Sequence, residues 1–439
     1  MNTLKFDLSK NGGTFKPLNA VNGGPYRNGK IDQIEDFKEM RIPFIRNHDV
    51  SYFHGFGAEN TVDITAIFPN FDADPYDSKS YDFPVTDNYM LRNAETGAQT
   101  FYRLGQKIDH RVKKYDSIPP KDPKKWAVIC EHIIRHYNEE WADGFQLGIQ
   151  YWEIWNEPDL DLCEKRQEMA SNKRTWAGTK EQFFELYEIT AKHLKKCFPE
   201  LKIGGPSLAW SEEFAEEFLL YMQEHNVEID FFSWHMYRSN PILIAEKSER
   251  IKGLMVKAGY GDAESILNEW NYLKDWHDNY VYSIRMNAKA KGAAYVMACM
   301  SIAQKSSIDM LMYYLVGPNS IYNGVFEFRH SDDTKLKTYY ALKMYGMFYD
   351  MKAEIRCENE PEDIYSLCGC DNDGKVLCVL TYYTDEENMP AKDLCVDFVK
   401  DSMYEIYLLD EEHNAELVDT TSNLKFTINP NTCVMIKEV

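Results

Sequence analysis

Two glutamates in this sequence stand where paired carboxylates can do chemistry. Glu157 ends the run Gln150-Tyr151-Trp152-Glu153-Ile154-Trp155-Asn156-Glu157-Pro158, and Glu269 lies in Ser265-Ile266-Leu267-Asn268-Glu269-Trp270. Each follows aromatic and aliphatic residues of the kind that form a buried strand. Pro158 has no N–H for a sheet ladder and pushes Glu157 away from helical geometry. Glu157 is therefore held at the carboxyl end of a strand. A lone glutamate at a loop edge is ordinarily just solvated; a second one in the same setting 112 residues later changes the balance. Two carboxyl groups at one rim suit glycoside hydrolysis, which needs an acid for the leaving oxygen and a nucleophile or base at the anomeric carbon. Asn156 beside the first glutamate, and His48, His235 and Tyr237 at other strand ends, add polar groups to the same rim.

The elements that must position these residues alternate. Apolar strands are expected at 17–21, 44–48, 101–104, 150–155, 201–204, 231–237, 265–270 and 310–315, with amphipathic helices between them. The clearest helix carries Trp126, Ile129, Cys130, Ile133, Ile134 and Tyr137 at i, i+3, i+4, i+7, i+8, i+11. Another is entered at Thr179, with Gln182 three residues on as a capping box. A single long helix is expected over 281–305. A polar insertion rich in Asp, Asn and Tyr fills 49–88. Eight strands, each followed by a helix, predict an α/β fold: a (β/α)8 TIM barrel over 16–349, whose catalytic rim is the carboxyl end of the strands. After about 350 the pattern becomes short strands between polar turns, among them 376–383, 404–409 and 432–436. This predicts an accessory antiparallel β-sandwich over 350–439, to which residues 1–15 add a strand.

Composition narrows the partners. A formal net charge of −21 disfavours nucleic acid. No stretch approaches the ~18 apolar residues of a membrane span, and the N-terminus lacks the apolar core of a signal peptide. A cytoplasmic setting is therefore expected, unless a secretion signal has been trimmed. The ten cysteines are scattered through a chain with ample core and are expected to be reduced thiols. Cys368-Gly369-Cys370 is one residue short of a CxxC pair and belongs on one strand face. His132 and His136 are i, i+4 but lack the Glu of a zinc protease motif, so a plain helix face is expected. At least one of Trp152 and Trp155 is expected in the core. No metal and no cofactor are expected.

Five segments resemble a known family, the family 39 glycoside hydrolases, which include β-xylosidases and α-L-iduronidases. They are Ile45-Arg46-Asn47-His48, Glu153 to Pro158, Ile203-Gly204-Gly205-Pro206, Asp230 to His235, and Ile266 to Asn271. They occur in the family's order and cover about 40–345. The resemblance implies Glu157 as acid/base, Glu269 as nucleophile and Asn156 on the sugar 2-hydroxyl. It also implies His48 and His235 on ring hydroxyls, with Tyr237 orienting Glu269. The sequence departs from the family on the eighth strand. Tyr313-Tyr314 replaces Tyr-Trp, and the acidic pair that often follows is not found in Val316 to Ser320. Tyr314 is thus the expected substrate contact where the family has Trp.

The leading expectation is a retaining exo-glycosidase acting on β-xyloside-like or related pentosides of plant-type glycans by double displacement. A carbohydrate-binding barrel without catalysis and an endo-acting glycanase are the alternatives. The partner is an oligosaccharide or glycoside, and homo-oligomerisation is left open.

Overall fold

The computed structural model describes residues 2–10, 12–27, 31–48, 61–109, 116–162, 173–316, 321–327 and 334–439. Residues 49–60 of the insertion, Cys163 and 317–320 lie outside them.

The chain opens with β1 (Asn2–Lys5) and enters the barrel with β2 (Ala20–Asn22), α1 (Ile34–Met40) and β3 (Phe44–Arg46). Then come α2 (Ile64–Ile67), α3 (Pro84–Glu95), β4 (Gln99–Leu104), α4 (Pro123–Asn138) and β5 (Tyr151–Ile154). The second half continues with α5 (Lys180–Cys197), β6 (Lys202–Leu208), α6 (Glu212–Glu224), β7 (Phe231–Arg238) and α7 (Pro241–Lys257). It ends with β8 (Glu264–Tyr272), α8 (Tyr280–Asn287), α9 (Ala290–Gln304), β9 (Met310–Tyr313) and α10 (Lys337–Gly346). Strands β2 to β9 pair in parallel and close, β9 returning to β2. This is the expected (β/α)8 barrel. Thr179 and Gln182 form the expected capping box at the start of α5.

Two elements differ from expectation. The described part of the insertion holds α2 and the start of α3. Helix α3 buries Thr86, Tyr89, Met90 and Asn93, a stripe at i, i+3, i+4, i+7. Two of its four members are polar, so hydrophobic periodicity does not reveal it. The helix expected over 281–305 is two helices. At Gly292, near the start of α9, a Cβ would lie 2.5 Å from the Met286 carbonyl oxygen and 2.7 Å from that of Asn287. The second helix thus starts against the end of the first, and glycine permits the approach.

The strands β10 (Ala353–Glu354), β11 (Ile364–Cys370), β12 (Val376–Tyr382), β13 (Lys392–Asp397), β14 (Tyr404–Leu409), β15 (Asn414–Thr421), β16 (Lys425–Ile428) and β17 (Thr432–Glu438) complete the chain. Six form a sheet in the order β10-β11-β12-β17-β14-β15, and β1-β13-β16 form a second. Strand β12 is buried on both faces, and its alternation assigns each face. Cys378, Leu380 and Tyr382 pack with Leu4, Leu394 and Val396 of the small sheet, which makes the accessory sandwich. Leu377 and Val379 join the core of the barrel. Cys368 and Cys370 lie on one strand, two residues apart. The nine cysteines among the described residues are free thiols. No helix among the described residues is long and apolar enough to cross a membrane.

Inside the barrel, Ala20, Phe101, Tyr151, Phe231, Ile266, Met310 and Met312 form an apolar cluster. Two residues further along their strands, the side chains facing the same way are Asn22, Arg103, Glu153, Ser233 and Asn268, since strand alternation has period two. The apolar floor thus gives way to a polar layer toward the carboxyl rim.

Candidate active site

Glu157 and Glu269 reach the rim by two different backbone devices. At the end of β5, Trp155 and Glu157 both have left-handed φ, 73° and 49°. For a bulky aromatic residue this is an outlier that surrounding structure must hold. The Trp155 N–H donates to the Leu104 carbonyl at 2.7 Å, and its indole donates to the Thr175 carbonyl at 3.0 Å. Its ring sits against Trp126 and Trp176. Opposite lies Gly105 (φ 128°), where a Cβ would come within 3.2 Å of the Trp155 Cα. The Glu157 N–H then donates to the Ser207 carbonyl at 2.9 Å. Both Trp152 and Trp155 are core residues, and neither is available as a sugar platform.

In β8 the device is a bulge. Trp234 pairs with Leu267 and the next residue, His235, pairs with Glu269, so Asn268 is the extra residue. Strict alternation would aim Asn268 inward and Glu269 outward; the bulge brings both into the barrel. The Asn268 amide donates to Glu153 at 2.5 Å, while Glu269 accepts from the Tyr237 hydroxyl and from Arg46, each at 2.8 Å.

Arg46 is the hub of the polar layer. It is fully buried and bonds Glu153 (2.8 Å), Glu269 (2.8 Å), Asn22 (3.0 Å), Asn156 (2.7 Å) and Ser207 (2.8 Å). The second carboxylate, Glu153, also accepts from Ser233 at 2.6 Å. A buried guanidinium shared between two carboxylates keeps its charge, and its donors favour the ionised form of Glu269.

The two histidines flank the glutamates as neutral rings. His235 places Nδ1 2.8 Å from Glu157 and Nε2 2.6 Å from the Ser207 hydroxyl. Burial lowers its pKa to about 4. Burial, with Arg46 and Arg103 nearby, holds His48 well below the ordinary histidine range. Arg103 Nε donates to His48 Nδ1 at 3.2 Å and is itself held by Asp63 at 2.6 Å. Because Arg103 can only donate, the His48 proton sits on Nε2, which faces Glu269 at 3.5 Å. Burial, then the Glu269 charge, pushes the Tyr237 phenol well above its ordinary value, so it remains a donor.

The six expected residues Glu157, Glu269, Asn156, His48, His235 and Tyr237 thus converge. Tyr314 lies one ring away, edge-on to Tyr237 with centroids 6.2 Å apart. Glu157, His235 and Glu269 each offer one ligand-type atom, and these three lie within 4.8 Å of one another. Such a set could also hold a divalent ion, but Arg46 already supplies positive charge against Glu269. The Asn156 Nδ2 group is buried and finds no acceptor among the described residues. Arg46, Glu153, Ser207, Arg103 and Asp63 were not among the expected site residues. For Arg46, Arg103 and Glu153 the available signal was a charged residue inside an otherwise apolar strand, which is rarely buried without a partner; Ser207 and Asp63 carry no such signal. His132 and His136 bond the Val128 carbonyl and Asp87 within their own helix layer, as a plain helix face should.

A closed parallel barrel with two carboxylates at the carboxyl ends of its fourth and seventh strands has the architecture of the barrel glycoside hydrolases. The sequence model of the Glycosyl hydrolases family 39 matches residues 22–291, and the chain belongs to that family. It is 34% identical over 122 residues to a β-xylosidase of Geobacillus stearothermophilus, a stretch covering 28% of this chain and 22% of that protein. The chain therefore matches less than a quarter of that relative's length. Among solved structures, a glucosidase from Croceicoccus marinus superposes with a TM-score of 0.79 at 20% identity, covering 100% of this chain and 99% of that one. A monomeric β-xylosidase from Caulobacter crescentus gives 0.69 at 16% identity, covering 100% and 99%. At these identities the likeness to solved structures is one of fold.

Proposed function

We propose that this protein is a retaining exo-glycoside hydrolase, with Glu157 as acid/base and Glu269 as nucleophile. The observation that carries the reading is the spacing: a Glu157 oxygen, a Glu269 oxygen and a His235 nitrogen lie within 4.8 Å of one another. Retaining enzymes hold their carboxyl groups ~5–5.5 Å apart, whereas inverting ones leave ~6.5–9.5 Å for a water.

The surroundings support distinct roles. Glu269 faces Arg46 and the Tyr237 hydroxyl, so it is ionised and fit to attack the anomeric carbon. As that bond forms, the bond to the leaving oxygen breaks and Glu157 delivers its proton there. In the second step Glu157 takes a proton from water, the water oxygen attacks the anomeric carbon, and the Glu269 carboxylate is released. The unpartnered Asn156 amide is the donor for the sugar 2-hydroxyl, oriented by the Arg46 bond to its oxygen. His48 Nε2–H, on the side facing Glu269, is the donor proposed for a ring hydroxyl.

Residues 16–349 act as the catalytic barrel, with 350–439 and the N-terminal strand as accessory module. The lead substrate is a terminal β-D-xyloside, in line with the β-xylosidase relative. A hexoside is the second reading, favoured by Tyr314 at the family's Trp position and by the glucosidase likeness in fold. A panel of p-nitrophenyl glycosides, run on the wild type and on Glu269→Ala and Glu157→Ala, tests the proposal. Turnover by the wild type excludes a non-catalytic barrel. Glu269→Ala should lose turnover of every sugar. Glu157→Ala should retain activated aryl glycosides, lose poor leaving groups, and be rescued by azide. Equal losses on good and poor leaving groups would contradict the assignment.

A further inference from the structure

Outside the active site, three metal-ligating side chains converge between α4 and α5, the helices on either side of β5. Glu131 projects from α4, and His193 and Cys197 from α5, where i, i+4 spacing stacks them on one face. Glu131 Oε2 lies 2.6 Å from His193 Nε2, and Cys197 Sγ lies 3.9 Å from that same nitrogen. One ligand atom from each falls within 4.8 Å of the other two.

An ion pair accounts for Glu131 and His193, and the Cys197 thiol, turned toward the same nitrogen, has the Glu131 carboxylate as its hydrogen-bond partner, so all three groups meet at one point. We propose that Glu131, His193 and Cys197 form a zinc site that ties α4 to α5, with solvent in the fourth position.

The donor set fits the metal. Thiolate, imidazole and carboxylate together select a borderline-soft ion such as Zn²⁺ over Mg²⁺ or Ca²⁺. Zinc bonds of ~2.0–2.3 Å in a tetrahedron put sulfur and nitrogen ~3.6 Å apart, near the separation found here. The carboxylate oxygen must retreat by under about 1 Å to make room between itself and the imidazole. Glu131 is already oriented for this: Arg135 Nε binds its other oxygen, Oε1, at 2.8 Å. The Arg135 charge is shared with Glu139, so it does not stand unopposed beside the ion. With the thiol proton lost to solvent, one carboxylate and one thiolate balance the 2+ charge. The side chains of His193 and Glu131 are 29% and 13% exposed, which leaves a route for metal and a place for water. The sequence conceals the site because its ligands are 62 residues apart on two helices.

The test titrates the full chain, first stripped with a chelator, with Zn²⁺ against a chromophoric competitor and separately with Co²⁺. We expect one zinc per chain, a cobalt–thiolate charge-transfer band, and a rise in Tm with zinc. Cys197→Ser and His193→Gln should each weaken zinc binding by at least about tenfold, and Cys197→Ser should abolish the band, with glycosidase activity unchanged. Cys357→Ser, at a half-buried thiol elsewhere, should leave both intact. Failure of the wild type to bind stoichiometric zinc, or undiminished binding in either ligand variant, would overturn the site.

Discussion

His235 Nδ1 lies 2.8 Å from Glu157 Oε1, and its other ring nitrogen lies 2.6 Å from the Ser207 hydroxyl. This places a neutral imidazole between a carboxyl group and a hydroxyl that can each donate or accept. With Glu157 protonated, its O–H donates to Nδ1, Nε2–H donates to Ser207, and the Ser207 hydroxyl turns to Asn156 at 3.1 Å. With Glu157 ionised, Nδ1–H donates to the carboxylate and Ser207 donates to Nε2. The ring changes tautomer as the acid gives up its proton, and no group is left unpaired. Ser207→Ala removes the Nε2 partner in both states, so the tautomer no longer follows the proton on Glu157. On the proposed roles it should slow poor leaving groups by about tenfold, the worth of one hydrogen bond, and barely affect activated aryl glycosides. Leaving-group dependence of kcat/KM checks this.

Arg46→Met should be strongly destabilising. Its removal leaves Glu153 and Glu269 buried without their shared cation, and orphaning one side of a buried ion pair costs ~3–5 kcal/mol. Urea unfolding of the variant measures it; a loss under ~1 kcal/mol would mean that the layer relaxes around the missing charge.

Stability should fall as the pH drops through the range set by His235. Burial lowers its folded pKa to about 4 from an ordinary 6.5. Between those values the unfolded chain binds a proton that the folded one does not, so the contribution is fully present above pH 6.5 and lost progressively toward pH 4. The full loss is ~3 kcal/mol. In His235→Gln the slope of unfolding free energy against pH across that window should be shallower than in wild type. An unchanged slope would mean that His235 titrates normally.

The barrel was legible because local signals agreed: apolar strands, amphipathic helices, and the capping box at Thr179 and Gln182. The rim glutamates were legible because each follows an apolar run in a distinctive motif, Glu157 just past the end of β5 and Glu269 inside β8. What escaped was what depends on three dimensions or on polar residues replacing apolar ones. Helix α3 hid because Thr86 and Asn93 occupy half of its buried stripe. The Arg46 hub hid because its partners lie as far as 223 residues along the chain from it. The bulge at Asn268 cannot be read from β8 alone, since it is a mismatch with β7. Of the small sheet, the N-terminal strand was expected in the accessory module, while its partners β13 and β16 were not read because they carry little hydrophobic alternation.

Tyr314 is partly exposed and meets Tyr237 and Tyr322 at centroid distances of 6.2 and 5.7 Å. A tyrosine at this wall gives a smaller stacking face than tryptophan and adds a hydroxyl. A site that bonds a specific hydroxyl rejects a sugar lacking it strongly, while an apolar wall discriminates by only ~1–3 kcal/mol per methylene-sized group. Tyr314→Trp should therefore shift the ratio of kcat/KM between pentosides and hexosides more than it changes the rate on either. Equal loss on all sugars would assign Tyr314 a purely structural part.

The central claim is double displacement through Glu269, and the stereochemistry of the first-formed product tests it most directly. Proton NMR of the sugar released in the opening minutes, before mutarotation, reads its anomeric configuration. With one oxygen of each carboxyl group within 4.8 Å of the other, the spacing is that of a retaining pair rather than an inverting one, so the account predicts the same anomer as the substrate. An inverted first product would contradict it.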